Sequence, residues 1–238
     1  VIYQDLLSKI DAALENYNSN PVETTIGKQD NIYQAEMEQW VKFANTLKLK
    51  MYLRMSYTSL ANPTAVNALL AENNFLNNDA KFSNFGTGLN QRNPFYEVQI
   101  KYLGDVNNVA SNSLFDFYDL NGDPRLESVY RANSASAYLS IAQGTGDTFN
   151  NLASNYSRPN IEADTPVYLM TVAESNFLQA EALIRYSSGV GAKEKYENGI
   201  KSSFETYGLS ADLATPLIEA GGVYEYIVGS DIESTVRQ

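Results

Sequence analysis

The sequence predicts a mainly α-helical protein in which helix pairs frame a long irregular region. Three observations carry this. Apolar residues recur at helical spacing before residue 75 and again after residue 165. Between them the period disappears into Asn, Gly, Ser, Asp and aromatic residues. Near the C-terminal side, two helical segments are joined only by Gly189-Val190-Gly191, the short link of a helical hairpin.

Taken in order, Leu6, Leu7, Ile10, Ala13, Leu14 and Tyr17 predict a helix over 3–17. Residues 18–31 read as a loop, with Asn18, Ser19, Asn20, Pro21 and Gly27. A long helix is expected over roughly 35–60. At about 100° per residue, Trp40, Phe43, Ala44, Leu47, Met51 and Met55 share one broad face, and Leu49 and Leu53 lie opposite. A helix apolar on two sides sits between other helices. Arg54 falls inside the apolar arc, so an internal acidic partner is expected for it. A helix over 63–74 comes next, with Pro63 in its first turn. Short strands or helices are expected near 95–103, 111–118 and 137–142. Helices return over 166–187 and 192–207, and a short one over 210–220 is limited by Pro216 and closed by Gly221-Gly222. The expected organisation is a single domain over 1–238, its helical scaffold at about 1–74 and 166–220, and its irregular binding region at about 75–165. A connection of that length without regular structure is often functional.

Composition narrows the function. A net charge of −11 in 238 residues argues against nucleic-acid partners, which demand a basic footprint, and against direct adhesion to anionic lipid. No cysteine means no disulfide and no thiolate chemistry. No histidine removes the commonest general base and zinc ligand. No apolar run approaches the roughly 20 residues needed to cross a bilayer as a helix. Tyrosine is abundant, at 17 residues, against one tryptophan. Its apolar ring and polar tip suit sugar and peptide surfaces and wet helix interfaces alike.

Four features invite a chemical reading. Glu174 and Glu181 are the nearest approach to a glycosidase carboxylate pair. Seven positions of helix rise about 10.5 Å, beyond the roughly 5–9.5 Å such pairs use, and a structural role toward Arg54 or nearby helix ends is the better account. Asp119-Leu120-Asn121-Gly122-Asp123 resembles part of a calcium loop but lacks the carboxylate ligands at its first and twelfth positions, Phe117 and Ser128; a turn before Asp123-Pro124-Arg125-Leu126 is expected. Gly86-Thr87-Gly88 and Gly144-Thr145-Gly146 lack the lysine and context of phosphate loops and read as turns. The central region is also rich in aromatics, including Phe82, Phe95, Phe115, Phe117, Tyr130 and Phe149. Most are expected to pin loops to the core, and a few to stack on sugar rings. Phe85, Tyr96, Tyr102, Tyr118, Tyr138 and Tyr156 are the candidates for that platform. Trp40, Arg54, Glu174 and Glu181 are assigned structural roles, Trp40 in the core.

Four separated segments resemble one family. Trp40 to Arg54 follows W-x-K-F-A-N-[ST]-L-[KR]-L-[KR]-x-x-x-R; Asp123-Pro124-Arg125-Leu126 matches D-P-R-L. Ala173 to Ala182 follows A-E-x-x-F-x-x-A-E-A, and Tyr196 to Ser203 follows Y-x-x-G-I-x-x-S. In order and spacing these resemble the SusD/RagB-like (starch-utilisation-system D-type) nutrient-binding lipoproteins of Bacteroidota. The resemblance implies tetratricopeptide-like helix pairs with a loop-rich binding region. It also implies a lipid-anchored protein on the surface of the outer membrane, non-catalytic and without cofactor. Such a protein delivers oligosaccharide or another nutrient to a SusC-like TonB-dependent transporter. The motifs are scaffold motifs and transfer no ligand residue. The lipid-bearing cysteine and the family's closing helix do not occur in this sequence, so an internal fragment or short divergent member is expected. A docking scaffold without its own ligand, and a glycoside hydrolase using acidic residues, are the alternatives to the nutrient-binding reading.

Overall fold

The computed structural model describes residues 2–20, 27–144 and 153–237. Thr145, Gly146 and Phe149 lie outside the described residues. The chain divides into two compact units: the first comprises 1–82, 168–203 and 224–238, the second 83–167 and 204–223.

The first unit is helical. α1 (Ile2–Ser19), α2 (Met37–Arg54) and α3 (Pro63–Glu72) are followed by a short strand, β1 (Ala80–Phe82). α3 begins where Asn62 accepts the Ala65 N–H at 3.0 Å, with Pro63 in its first turn, and ends at left-handed Asn73. α2 is shorter than the expected 35–60. Beyond Met55 the Thr58 hydroxyl bonds the Met55 carbonyl at 2.8 Å and draws the chain into a turn.

The two-sided apolar pattern of α2 is satisfied on both sides. Leu49 and Leu53 pack with Val66, Leu69, Phe75 and Ala182. Met51 and Met55 pack with Leu7 of α1. Between these faces, buried Asn45 and Thr46 hold the chain after α3: the Asn45 amide donates to the Asn74 carbonyl at 3.1 Å, and Thr46 Oγ1 accepts the Leu76 N–H at 2.9 Å. The Asn-Thr of the tryptophan segment is thus a backbone clamp.

Arg54 is not buried. It is exposed at the last turn of α2, where a cation suits the helix C-terminus. The carboxylates expected to answer it are taken by others: Glu174 by Lys50 at 2.5 Å and Glu181 by Arg185 at 2.6 Å. The 100° wheel placed Arg54 on the right arc but does not register that the helix, and its packing, stop there.

The segment 166–187 does not begin as helix. It opens as a strand, β4 in chain order (Val167–Met170), paired with β1. Thr171 then accepts the Glu174 N–H at 3.1 Å and caps the helix α6 (Val172–Tyr186). A threonine cap fixes the start, so the preceding β-branched and aromatic residues extend. α7 (Ala192–Thr206) completes the hairpin, with its last turn in the second unit. Gly199 of α7 lies under Phe177 of α6; a Cβ there would stand 2.9 Å from the ring. Trp40 is half-buried rather than enclosed. It packs edge-on against Tyr33 and Phe43 and gives its indole N–H to Asp30 at 2.7 Å, while its outer edge joins Met37, Val41 and Ala44 in an apolar groove of about 410 Å³ against Ile10, Ala13 and Leu14 of α1. Burial works against the Asp30 charge, but that indole and the amides of Ile32, Ala35 and Tyr33 outweigh it and hold its pKa below the usual carboxylate value.

The second unit contains a π-helix (Tyr96–Tyr102), α4 (Asn112–Leu120), α5 (Arg125–Val129) and the antiparallel pair β2 (Tyr130–Arg131) and β3 (Arg158–Pro159). Ala211–Ala214 and α8 (Thr215–Ile218) are the two short turns found within the expected 210–220 helix. Its core gathers Ala110, Phe115 and Tyr130 with Leu126, Val129 and Tyr138. The Asp119–Asp123 segment closes as a turn: Gly122 takes φ +60°, its N–H reaches the Asp119 carbonyl, and Asp123 turns inward to Arg125. Among the described residues no three acidic side chains gather as metal ligands. The last short helix, α9 (Ile232–Val236), belongs to the first unit and packs on α6.

Candidate functional site

Among the described residues, the most open aromatic surface of the second unit is built on Asn93. That residue is buried, and all its polar groups are employed. Its backbone N–H bonds the Ala163 carbonyl and its side-chain amide the Thr165 carbonyl, each at 2.7 Å. Its Oδ1 accepts the N–H groups of Phe95 and Tyr96 and starts the π-helix. Such turns are uncommon and occur often at functional sites. None of the seven residues of the turn is buried. Lys101 stands 5.5 Å from the ring of Tyr96, and Tyr102 is 85% exposed. The chain then reverses through Gly104 and Asp105, both at positive φ, and the Asp105 N–H returns to the Gln99 carbonyl at 2.8 Å. The reversal sets up a row of amides: Gln99 Oε1 accepts from Asn108 at 3.0 Å and from Asn107 at 3.5 Å. Behind it, Asp105 Oδ2 accepts from Arg131 at 2.5 Å and from Arg158 at 2.9 Å.

Of the six candidate aromatics, Tyr96 and Tyr102 share the π-helix. Phe85 is half-buried beside the Gly86–Gln91 turn, and Tyr156 is half-buried ahead of β3. Tyr138 packs against the core of the unit. Tyr118 is a packing residue: it is 8% exposed, and Arg125 covers its ring at 5.2 Å. Burial pushes its hydroxyl pKa up, Arg125 opposing. It has no face to offer a sugar. Sequence reading missed Gln99, Asn107 and Asn108, and also Asp105 with its two arginines. The amides carry no spacing signal, and the arginines meet only through the register that sets Arg131 opposite Arg158.

A family model described as SusD-like, the SusD and RagB outer membrane lipoproteins, matches residues 1–222. The chain belongs to this family. Solved structures agree on the fold. A SusD homologue from Bacteroides uniformis superposes with a TM-score of 0.77 at 24% identity, over 95% of this chain and 48% of that one. Another from Bacteroides vulgatus gives 0.73 at 25%, over 93% and 46%. A chitin-binding protein gives 0.67 at 20%, over 92% and 53%. The chain therefore spans about half the length of the solved relatives it matches. No curated protein sequence matches it.

The SusD-like motifs have physical roles. The tryptophan segment supplies the two-faced α2 and its Asn-Thr clamp. In A-E-x-x-F-x-x-A-E-A the first glutamate, Glu174, binds Lys50 and the second, Glu181, binds Arg185. Each is an ion-pair partner, which is a packing role. Phe177 of that motif lies over Gly199 of Y-x-x-G-I-x-x-S, a spot with no room for a side chain. D-P-R-L is the Asp123–Arg125 turn. All four SusD-like segments build scaffold, and the exposed π-helix lies outside every one of them.

Proposed function

We propose that this SusD-like chain is a glycan-binding part of a cell-surface lipoprotein that passes its ligand to a SusC-like TonB-dependent transporter. The π-helix of the second unit is the ligand surface. Tyr102 offers a ring face to a sugar, Tyr96 and Lys101 flank it, and Gln99, Asn107 and Asn108 supply hydroxyl partners. The observation that carries this reading is the 85% exposure of Tyr102 beside an ordered row of amides. A large ring held in water on a turn built by a buried asparagine does nothing for the core, and suits stacking.

Two further facts support it. SusD-like proteins are binding proteins rather than enzymes, and Glu174 and Glu181 are each engaged in an ion pair, with Lys50 and Arg185. One solved neighbour is a chitin-binding protein, which supports a saccharide as ligand class.

Calorimetry against a panel of neutral and acidic oligosaccharides tests the site. Tyr102→Ala is expected to weaken a saccharide that binds by about ten-fold, some 1.4 kcal/mol, while Tyr102→Phe keeps the stack. Equal affinity in the wild type and Tyr102→Ala would move the site elsewhere.

A further inference from the structure

We propose that Arg131 and Arg158 form a carboxylate subsite and that the ligand is an acidic glycan of the uronic-acid type, bearing its carboxylates on the sugar rings. This rests on the glycan reading above and names the substrate class of the same surface.

The register of β2 and β3 puts the two arginines directly opposite each other. Like charges in that position repel, and among the described residues only one carboxylate answers them. Both guanidinium groups converge on a single oxygen, Asp105 Oδ2. The cluster is one negative charge short. It is also short of acceptors. Each guanidinium has five N–H donors, each spends one on Asp105, and the buried Nε of both has no hydrogen-bond partner among the described residues. All three side chains are partly open: Asp105 14%, Arg158 21% and Arg131 29% exposed.

The location ties this surplus to the sugar surface. Asp105 comes three residues after Tyr102, and its N–H is bonded to the carbonyl of Gln99. One loop therefore carries the ring, the amides and the carboxylate on which the two arginines of β2 and β3 converge. A guanidinium matches a carboxylate with two parallel hydrogen bonds, and the second arginine gives the charge that Asp105 leaves unmatched. With −11 on the chain as a whole, a polyanionic ligand is repelled at long range. A local positive surplus is what admits it at one place.

The test uses the full chain and one hexuronic-acid oligomer, its methyl ester, and a neutral chito-oligosaccharide of equal length, titrated by calorimetry. The acid is expected to bind at least roughly ten-fold tighter than its ester, the loss of a charge-assisted bond. Arg131→Gln and Arg158→Gln should each erase that preference, so that acid and ester bind the same variant with equal affinity. The ester arm needs no variant, so it stands even if a substitution unfolds the unit. Equal binding of acid and ester, or a preference that survives both substitutions, overturns the subsite; if that binding is still lost in Tyr102→Ala, the glycan reading stands. Failure of all three oligomers to bind overturns both.

Discussion

Asp123 has no exposed side-chain surface and Arg125 only 10%, and each is the other's ion-pair partner at 2.6 Å. The guanidinium lies between two rings, 5.2 Å from Tyr118 and 4.6 Å from Phe204. Removing one member of such a pair takes the ion-pair partner from a charge that stays buried. Asp123→Ala is expected to cost about 3–5 kcal/mol, read from denaturant melts. A loss below about 1 kcal/mol would mean that Arg125 finds another acceptor. At this scale legibility was uneven. The Asp-Pro-Arg-Leu turn was readable because turn chemistry is local. Tyr102 and Tyr118 were indistinguishable, two tyrosines in similar polar surroundings. What separates them is a chain reversal at 103–105 and a cation stacked from elsewhere in the unit, and neither leaves a pattern in neighbouring residues. Arg54 was misplaced because helical angle is local and helix end is not.

Side-chain bonds both cap α9 and fasten it to α6. Asp231 and Ser234 close a reciprocal cap, the Asp231 carboxylate accepting the Ser234 N–H at 2.7 Å. The helix is fastened by Arg185 of α6, which binds Glu233 at 2.6 Å, Glu181 at 2.6 Å and the Tyr57 hydroxyl at 2.8 Å; that hydroxyl in turn donates to Glu233. The Arg185 bond, and then the Tyr57 bond, hold the Glu233 carboxyl below its ordinary pKa. A carboxyl depressed in the folded state contributes stability above its unfolded pKa, and that contribution is lost as pH falls through the lowered one. The amides of 233–236 are therefore expected to lose hydrogen-exchange protection below about pH 4 while α2 keeps its own. Undiminished protection of α9 at about pH 3.5 would show that the fastening is apolar. Helices α1, α2, α3 and α7 were legible because apolar residues recur along them at helical spacing. β4 was hidden in front of α6, since four apolar residues do not define a period. A short element was expected near 95–103, where the π-helix lies; its π character was beyond reach, because its cause is one buried asparagine bonded to the carbonyls of Ala163 and Thr165, far along the chain.

For the whole molecule, the absence of histidine and cysteine leaves little to titrate near neutrality. The groups with displaced pKa values sit at the two extremes. Asp30, Asp231 and Glu233 are lowered, so their stabilisation is lost only in acid. Tyr33, Tyr130 and Tyr196 are raised, chiefly by burial, so theirs is lost only as pH climbs past about 10. The melting temperature is expected to stay within about 2 °C between about pH 6 and 8.5, by calorimetric scans in matched ionic strength. A larger drift would expose a coupled group that the charge pattern does not reveal. The helical unit was legible as a whole because its faces announce each other. The second unit was legible only in short pieces, its Asp-Pro-Arg-Leu turn and the short elements near 95–103 and 111–118, because single asparagines and serines rather than long stripes join them. Its π-helix has a consequence for how the surface can change over generations. Substitutions on its outer face disturb no packing and let binding drift freely. Losing one codon would instead allow 96–102 to rewind as an ordinary helix, swinging the downstream chain by about 100° and carrying Tyr102 away from its amides. Descent by point change is open to this surface, and descent by deletion is closed.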